Sequence, residues 1–156
     1  ITDEAVDRVY DVARSQQVRV SVEGLDEPPL IAGDSSLLMR AIANLLDNAI
    51  RYSPKSGVVR CSIRLKERSE AATCDYLECT VADQGPGIPP ERLAALFQRF
   101  GPNDPSKELS AGLGLAFVKR AVDLMGGSIT LESATGGTTF VIAFPVVVGP
   151  ESIDPA

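Results

Sequence analysis

The sequence predicts an α+β fold, a two-layer α/β sandwich with a mixed, mostly antiparallel sheet and helices packed on one face. Three observations predict it. Apolar residues recur at helical spacing in several stretches and with period two in others. The period-two stretches come in adjacent pairs, without the βαβαβ alternation of a doubly wound sheet. The 156 residues, 44% hydrophobic and 23% charged, have the size and composition of one globular domain. A chain of this length buries about 70% of the surface its unfolded form exposes, enough for a core without staples.

Ala5, Val6, Val9, Tyr10, Val12 and Ala13 mark an amphipathic helix from Asp3 to about Gln16. Val18, Val20 and Val22 alternate with polar residues as a strand that Gly24 closes, and Leu30 to Ala32 make a second short apolar run, read as a strand. Asp34 and Ser35 offer caps for a long helix from about Ser36 to Tyr52, which Ser53-Pro54 terminates. Val59 to Leu65 and Leu77 to Val81 form a hairpin about the charged loop Lys66–Thr73. Pro89-Pro90 opens a short helix through Phe97, followed by a glycine- and proline-rich loop from Gly101 to Gly112. A helix from Leu113 to Met125 stops at Gly126-Gly127. Strands Ser128–Glu132 and Thr138–Phe144 then pair across a Thr-Gly-Gly turn. The expected domain runs over 1–148, with a mobile loop at about 98–112 and a frayed Pro-rich tail at 149–156.

Fifteen Lys and Arg against 21 Asp and Glu leave a net charge of −6, which argues against a nucleic-acid or anionic-membrane binder. No run of 18 apolar residues exists and the charged N-terminus has no signal-peptide core, so this segment is not expected to insert in a membrane. The chain has no histidine, which excludes histidine triads, His-ligated zinc and a phosphohistidine carried by this chain. Cys61, Cys74 and Cys79 are odd in number and contain no CxxC pair, so they read as reduced, mostly buried small hydrophobes.

Three constellations carry chemistry. On the long helix, at 100° per residue, Leu38, Ile42, Leu45, Leu46 and Ala49 share one face, while Asn44, Asn48 and Arg51 form a stripe on the other with Tyr52 at its edge. Asparagine is a poor interior helix former, so two on one stripe ask for a reason. One reading is a solvated polar face. The other is that amide oxygens and a guanidinium converge on a magnesium-bound polyphosphate. The second constellation is Val81-Ala82-Asp83-Gln84-Gly85-Pro86-Gly87-Ile88. Asp83 keeps the parity of Leu77, Cys79 and Val81 and therefore points inward, where a carboxylate needs a partner such as a base's amino group. The third is Ser110-Ala111-Gly112-Leu113-Gly114-Leu115, a glycine-rich loop entering a helix N-terminus, where N–H groups and the helix dipole suit phosphate. It lacks the Gly-Lys-Ser/Thr of a P-loop and does not directly follow a strand.

Together, Asn44…Asn48-Ala49-x-Arg51-Tyr52, Asp83-x-Gly85-x-Gly87, Phe97-x-x-Phe100 and Gly112-Leu113-Gly114-Leu115 come in an order that resembles the catalytic and ATP-binding domain of sensor histidine kinases. That domain belongs to the wider GHKL family shared with gyrase-type ATPases. The similarity runs from the first helix to Pro145. The resemblance implies a Bergerat ATP-binding fold with ATP and Mg²⁺ as cofactors. Asn48 would coordinate Mg²⁺ with Asn44 beside it, Arg51 would contact phosphate, and Tyr52 would border the adenine. Asp83 would accept the adenine amino proton, while Gly85, Gly87 and Ile88 would line the nucleotide. Gly112 and Gly114 would shape the lid's end around the phosphates, with Phe100, Leu113 and Leu115 among the nucleotide-binding residues. Thr138 would support the adenine site through water, and Lys107 would supply a basic lid contact. The family's lid usually ends Gly-x-Gly-x-Gly, and Ser110 replaces its first glycine here.

The resemblance implies transfer of the ATP γ-phosphoryl group to a histidine on a separate dimerisation and phosphoacceptor domain, with a response regulator downstream and a cytoplasmic location. A GHKL ATPase, a serine-directed kinase and a nucleotide-binding module without catalysis are the alternatives. Family hydrolases hold a glutamate one turn before the magnesium asparagine; Asn44 stands there and cannot take a proton from water. The chain is expected to be a piece of a longer sensor kinase.

Overall fold

In the computed structural model, which describes residues 1–71, 74–89, 91 and 110–147, five strands join in one mixed sheet. In chain order the elements are α1 (Thr2–Gln16), β1 (Arg19–Glu23), α2 (Ser35–Tyr52), β2 (Val58–Lys66), β3 (Tyr76–Ala82), α3 (Ser110–Leu124), β4 (Ser128–Ala134) and β5 (Gly137–Pro145). The strand order is β1-β2-β3-β5-β4. Only β1 runs parallel to its neighbour; β2, β3, β5 and β4 pair antiparallel. The placement of β5 between β3 and β4 brings the end of β3 beside the start of β5, which matters below.

The cap expected at Asp34 is present: its Oδ1 accepts the N–H of Ser36 at 2.7 Å and of Leu37 at 3.3 Å, satisfying orphan donors of the first turn. Helix α2 packs against both α1 and α3 and lies over the sheet. Its Leu45, Leu46 and Ile50 are fully buried with Val59, Val81, Phe140 and Ile142 of the strands, while Val118 and Val122 of α3 complete the same core. Inward residues of β5 alternate with half-buried ones along its length, as in a sheet covered on one side. Cys61 and Cys79 are free and buried in this core, and Cys74 is half-buried.

Three expectations change. The run Leu30–Ala32 is not a strand: Ile31 makes one isolated bridge to Val146, and Val147 N–H donates to the Leu30 carbonyl at 2.8 Å. Pro28-Pro29 before it and Gly33 after it leave too few residues for a ladder, and Leu30 is 70% exposed. Residues 110–112 are not loop: α3 begins at Ser110, because Gly112 and Gly114 lower helix propensity without blocking it. The final hairpin turns on two residues, Thr135-Gly136, with Ala134 paired to Gly137 and Gly136 at φ +104°. The helix expected from Pro89 to Phe97, apart from Pro89 and Glu91, the loop residues 98–109 including Phe100 and Lys107, and the tail 149–156 lie outside the described residues.

Candidate functional site

The corner where β3 ends beside the start of β5 holds a connected polar network. Asp83 continues the inward alternation of Cys79 and Val81 and is 8% exposed. Its backbone N–H donates to the Thr138 carbonyl at 2.9 Å. Its Oδ1 accepts the N–H of Gly85 at 2.8 Å and of Thr138 at 3.2 Å. Burial pushes the carboxyl pKa up, and these two N–H bonds pull it back. Its Oδ2 has no partner among the described residues, so one oxygen anchors the side chain and the other is left for a donor.

Thr138 is 4% exposed, and its Oγ1 lies 2.9 Å from Ser133 Oγ. Ser133 Oγ also accepts the N–H of Ile88 at 2.7 Å, so β4 holds the far end of the 83–88 loop. Gln84 Oε1 accepts the N–H of Val58 at 2.9 Å and ties the near end to β2. Gly85 and Gly87, read from the sequence as ligand contacts, have reasons inside the fold. A Cβ on Gly85 would stand 2.5 Å from the Tyr52 carbonyl oxygen, and Gly87 has φ +84° and lies against the Ala134 carbonyl. The loop is thereby pinned to the C-terminal end of α2, where Tyr52 is exposed.

Asn48 lies one turn before Tyr52 and is 3% exposed. The reading of the Asn stripe as a solvated face fails here, because α1 and α3 flank α2 and leave little of it open. Asn48 Oδ1 is buried with no hydrogen-bond partner among the described residues, an arrangement that costs about 1–3 kcal/mol unless another group, a ligand or an ion completes it. Asn44, one turn earlier and half-buried, faces α3: a Cβ on Gly114 would lie 3.7 Å from Asn44 Cβ, in ordinary contact. Unlike Gly85 and Gly87, Gly114 is therefore not demanded by the described residues around it.

Among the described residues, the fold thus brings Tyr52, Asp83, Gly85, Gly87, Ile88 and Thr138 to one corner, and Asn44 to the start of α3, with Asn48 between Asn44 and Tyr52 on α2. Arg51 stands apart on the exposed flank, its Nε bonded to Asp47 Oδ2 at 2.9 Å. The side chain of Leu115 is buried in the core and anchors α3. Gly112 and Leu113 are described only as helical backbone. Phe100 and Lys107 lie outside the described residues. Sequence reasoning missed Ser133 and Gln84. Ser133 shares the inward parity of Ile129 and Leu131, and a serine on an apolar stripe was the available signal.

A family model described as histidine kinase-, DNA gyrase B-, and HSP90-like ATPase matches residues 33–148. The chain belongs to this ATPase family. Its similarity runs to sensor histidine kinases. Sensor histidine kinase CusS of Escherichia coli K12 is 37% identical over 148 residues, 90% of this chain and 29% of that protein. The probable sensor kinase SilS of Salmonella typhimurium is 36% identical over 121 residues, 76% of this chain and 23% of that protein. A solved mycobacterial sensor histidine kinase MprB is 34% identical with a TM-score of 0.70, covering 92% of this chain and 93% of that one. The α+β sandwich is thus the family's fold. The chain spans less than a third of the length of these two curated relatives. No helix among the described residues is long and apolar enough to cross a membrane.

Proposed function

We propose that this chain binds Mg·ATP and delivers its γ-phosphoryl group to a histidine on a separate dimerisation and phosphoacceptor domain of the same parent protein, as the catalytic domain of a sensor histidine kinase. The observation that carries the proposal is the buried Oδ1 of Asn48, without a hydrogen-bond partner among the described residues and one helical turn from Asn44, reached from the same helix end that the Asp83 loop is pinned to. A carboxamide oxygen suits a hard cation, so the donor set fits Mg²⁺, with Asn48 as ligand and Asn44 beside it. When bound, the cation neutralises charge on the transferring phosphoryl group.

The chain's own residues divide the remaining work. Asp83 Oδ2 accepts the adenine amino proton while Oδ1 is held by two N–H groups. Tyr52 borders the base at the exposed end of α2. The N-terminus of α3, with its positive dipole end and Gly112 and Gly114, faces the phosphates. Arg51 reaches phosphate by leaving Asp47, an exposed pair of small worth. Phe100 and Lys107, from the segment that precedes α3, contact the nucleotide, and residues 1–148 make up the functional unit.

Asn44 separates transfer from hydrolysis. A carboxamide accepts no proton from water at neutral pH, so the site positions ATP without activating a water molecule. The acceptor is expected in the cytoplasm, with a response regulator receiving the phosphoryl group next. Incubation of this chain with γ-labelled Mg·ATP tests the reading. It should bind nucleotide, retain no acid-labile label because it has no histidine, and turn ATP over slowly. Brisk turnover would favour a GHKL ATPase instead.

A further inference from the structure

We infer that Ser133 is a positioning residue for base selection, which it performs by setting the direction in which the Thr138 hydroxyl donates. The inference rests on the nucleotide-binding reading of the Asp83–Thr138 corner. A hydroxyl has one proton to donate and two lone pairs with which to accept. Ser133 Oγ accepts the Ile88 N–H at 2.7 Å and stands 2.9 Å from Thr138 Oγ1. If Thr138 donated across that contact, Ser133 would accept twice and its own proton would have no partner among the described residues. With Ser133 as donor, both of its bonds are made and the one proton left over is Thr138's, which a base or water at the Asp83 corner can accept, so a bound ligand selects this direction. Thr138 then accepts, and its own proton turns away from Ser133.

The Thr138 hydroxyl stands beside Asp83, because Thr138 N–H donates to Asp83 Oδ1 and the Asp83 N–H donates back to the Thr138 carbonyl, so a proton turned from Ser133 is available to a base held there. The corner therefore presents one acceptor, Asp83 Oδ2, next to one donor, the Thr138 hydroxyl. The Watson–Crick edge of adenine shows an amino donor next to a ring-nitrogen acceptor, the complement of that pair. Guanine shows a carbonyl acceptor next to an N–H donor, the reverse order. A water between Thr138 and the base would relay the same polarity. Without the Ser133 hydroxyl, the Thr138 hydroxyl is free to rotate and accept from the base as readily as donate. The Ile88 end of the loop also loses its tie.

The test is titration of the chain and its Ser133→Ala, Ser133→Cys and Ser133→Thr variants with ATP and with GTP in Mg²⁺ by calorimetry, alongside nucleotide-free melting. The parent should prefer ATP. Ser133→Ala and Ser133→Cys should bind ATP about three- to tenfold more weakly, the scale of one hydrogen bond, with GTP unchanged or tighter. Ser133→Thr should keep the ATP preference. Should Ser133→Ala fail to fold, Ser133→Cys, which keeps nearly the same volume, decides. Unchanged base preference in Ser133→Cys would overturn the inference. So would equal loss of both nucleotides in step with a lowered melting temperature, since a merely structural serine would act that way. A parent that binds neither nucleotide would overturn the nucleotide reading itself.

Discussion

Replacing Asp83 with asparagine tests base recognition with almost no change of shape. Asp83 offers two acceptor oxygens: Oδ1 takes the Gly85 and Thr138 N–H groups, and Oδ2 faces the proposed adenine amino group. Asparagine offers one acceptor and one donor. If its oxygen keeps the two backbone N–H groups, its NH₂ meets the adenine amino group, donor against donor. If it turns around, its NH₂ meets two backbone donors. Either way a buried polar contact fails, at a cost of about 1–3 kcal/mol. That corresponds to ATP binding weaker by roughly 5- to 150-fold. The first orientation also presents a donor to the guanine carbonyl, so GTP should bind no worse and the ATP preference should narrow from both sides. Nucleotide-free stability should move the other way. Burial raises the Asp83 pKa in the folded chain, so folding favours its protonated form and stability falls as pH climbs from the ordinary aspartate range through the raised value. Asp83→Asn lacks that fall and should melt at or above the parent at neutral pH, an advantage that disappears below the ordinary aspartate range. Calorimetric titration with both nucleotides and melting across pH measure these effects. Unchanged ATP affinity in Asp83→Asn would refute the assignment.

Asn48→Ala removes a buried acceptor that has no partner among the described residues, so nucleotide-free stability should fall by no more than about 1 kcal/mol, while the Mg²⁺-dependent part of ATP affinity should largely vanish; parallel melting and titrations with and without Mg²⁺ check both halves. Gly114→Ala meets only ordinary contact at Asn44, so it should stabilise α3 by up to about 1 kcal/mol yet weaken ATP binding, and a gain in both would mean that no ligand approaches there. Gly85→Ala should destabilise the chain by about 1–3 kcal/mol in denaturant unfolding, because its Cβ meets the Tyr52 carbonyl backbone.

The alternation along β2, β3 and β5, the α2 cap at Asp34 and the inward parity of Asp83 were legible because each is a local pattern with a local cause. The stripe on α2 was legible as a set of residue types but not as a place. The stripe was read as lying opposite the apolar face, but at the helical period Asn48 stands only about 60° from Leu45, on the flank of that face, and the packing of α2 between α1 and α3 buries it, which is a non-local matter. Residues 110–112 read as loop because they end a stretch rich in Gly, Pro, Asn and Ser and poor in apolar residues, yet α3 runs through them. The glycines at 85 and 87 were legible as necessary, but the reason lay in backbones 33 and 47 residues away in sequence, at Tyr52 and Ala134. Ser133 was missed because its role depends on Ile88 lying across from β4, a pairing no short-range pattern records.

Transfer to an acceptor domain tests the central claim most directly. The chain, re-joined to the dimeric helical domain that carries its parent's acceptor histidine, would be incubated with γ-labelled Mg·ATP; the covalent link supplies the effective concentration that separate domains lack. The account predicts acid-labile label on that histidine at a rate well above ATP hydrolysis, lost in both Asn48→Ala and Asp83→Asn at limiting ATP. Absence of label from the re-joined protein, or label that survives both substitutions unchanged, would contradict it.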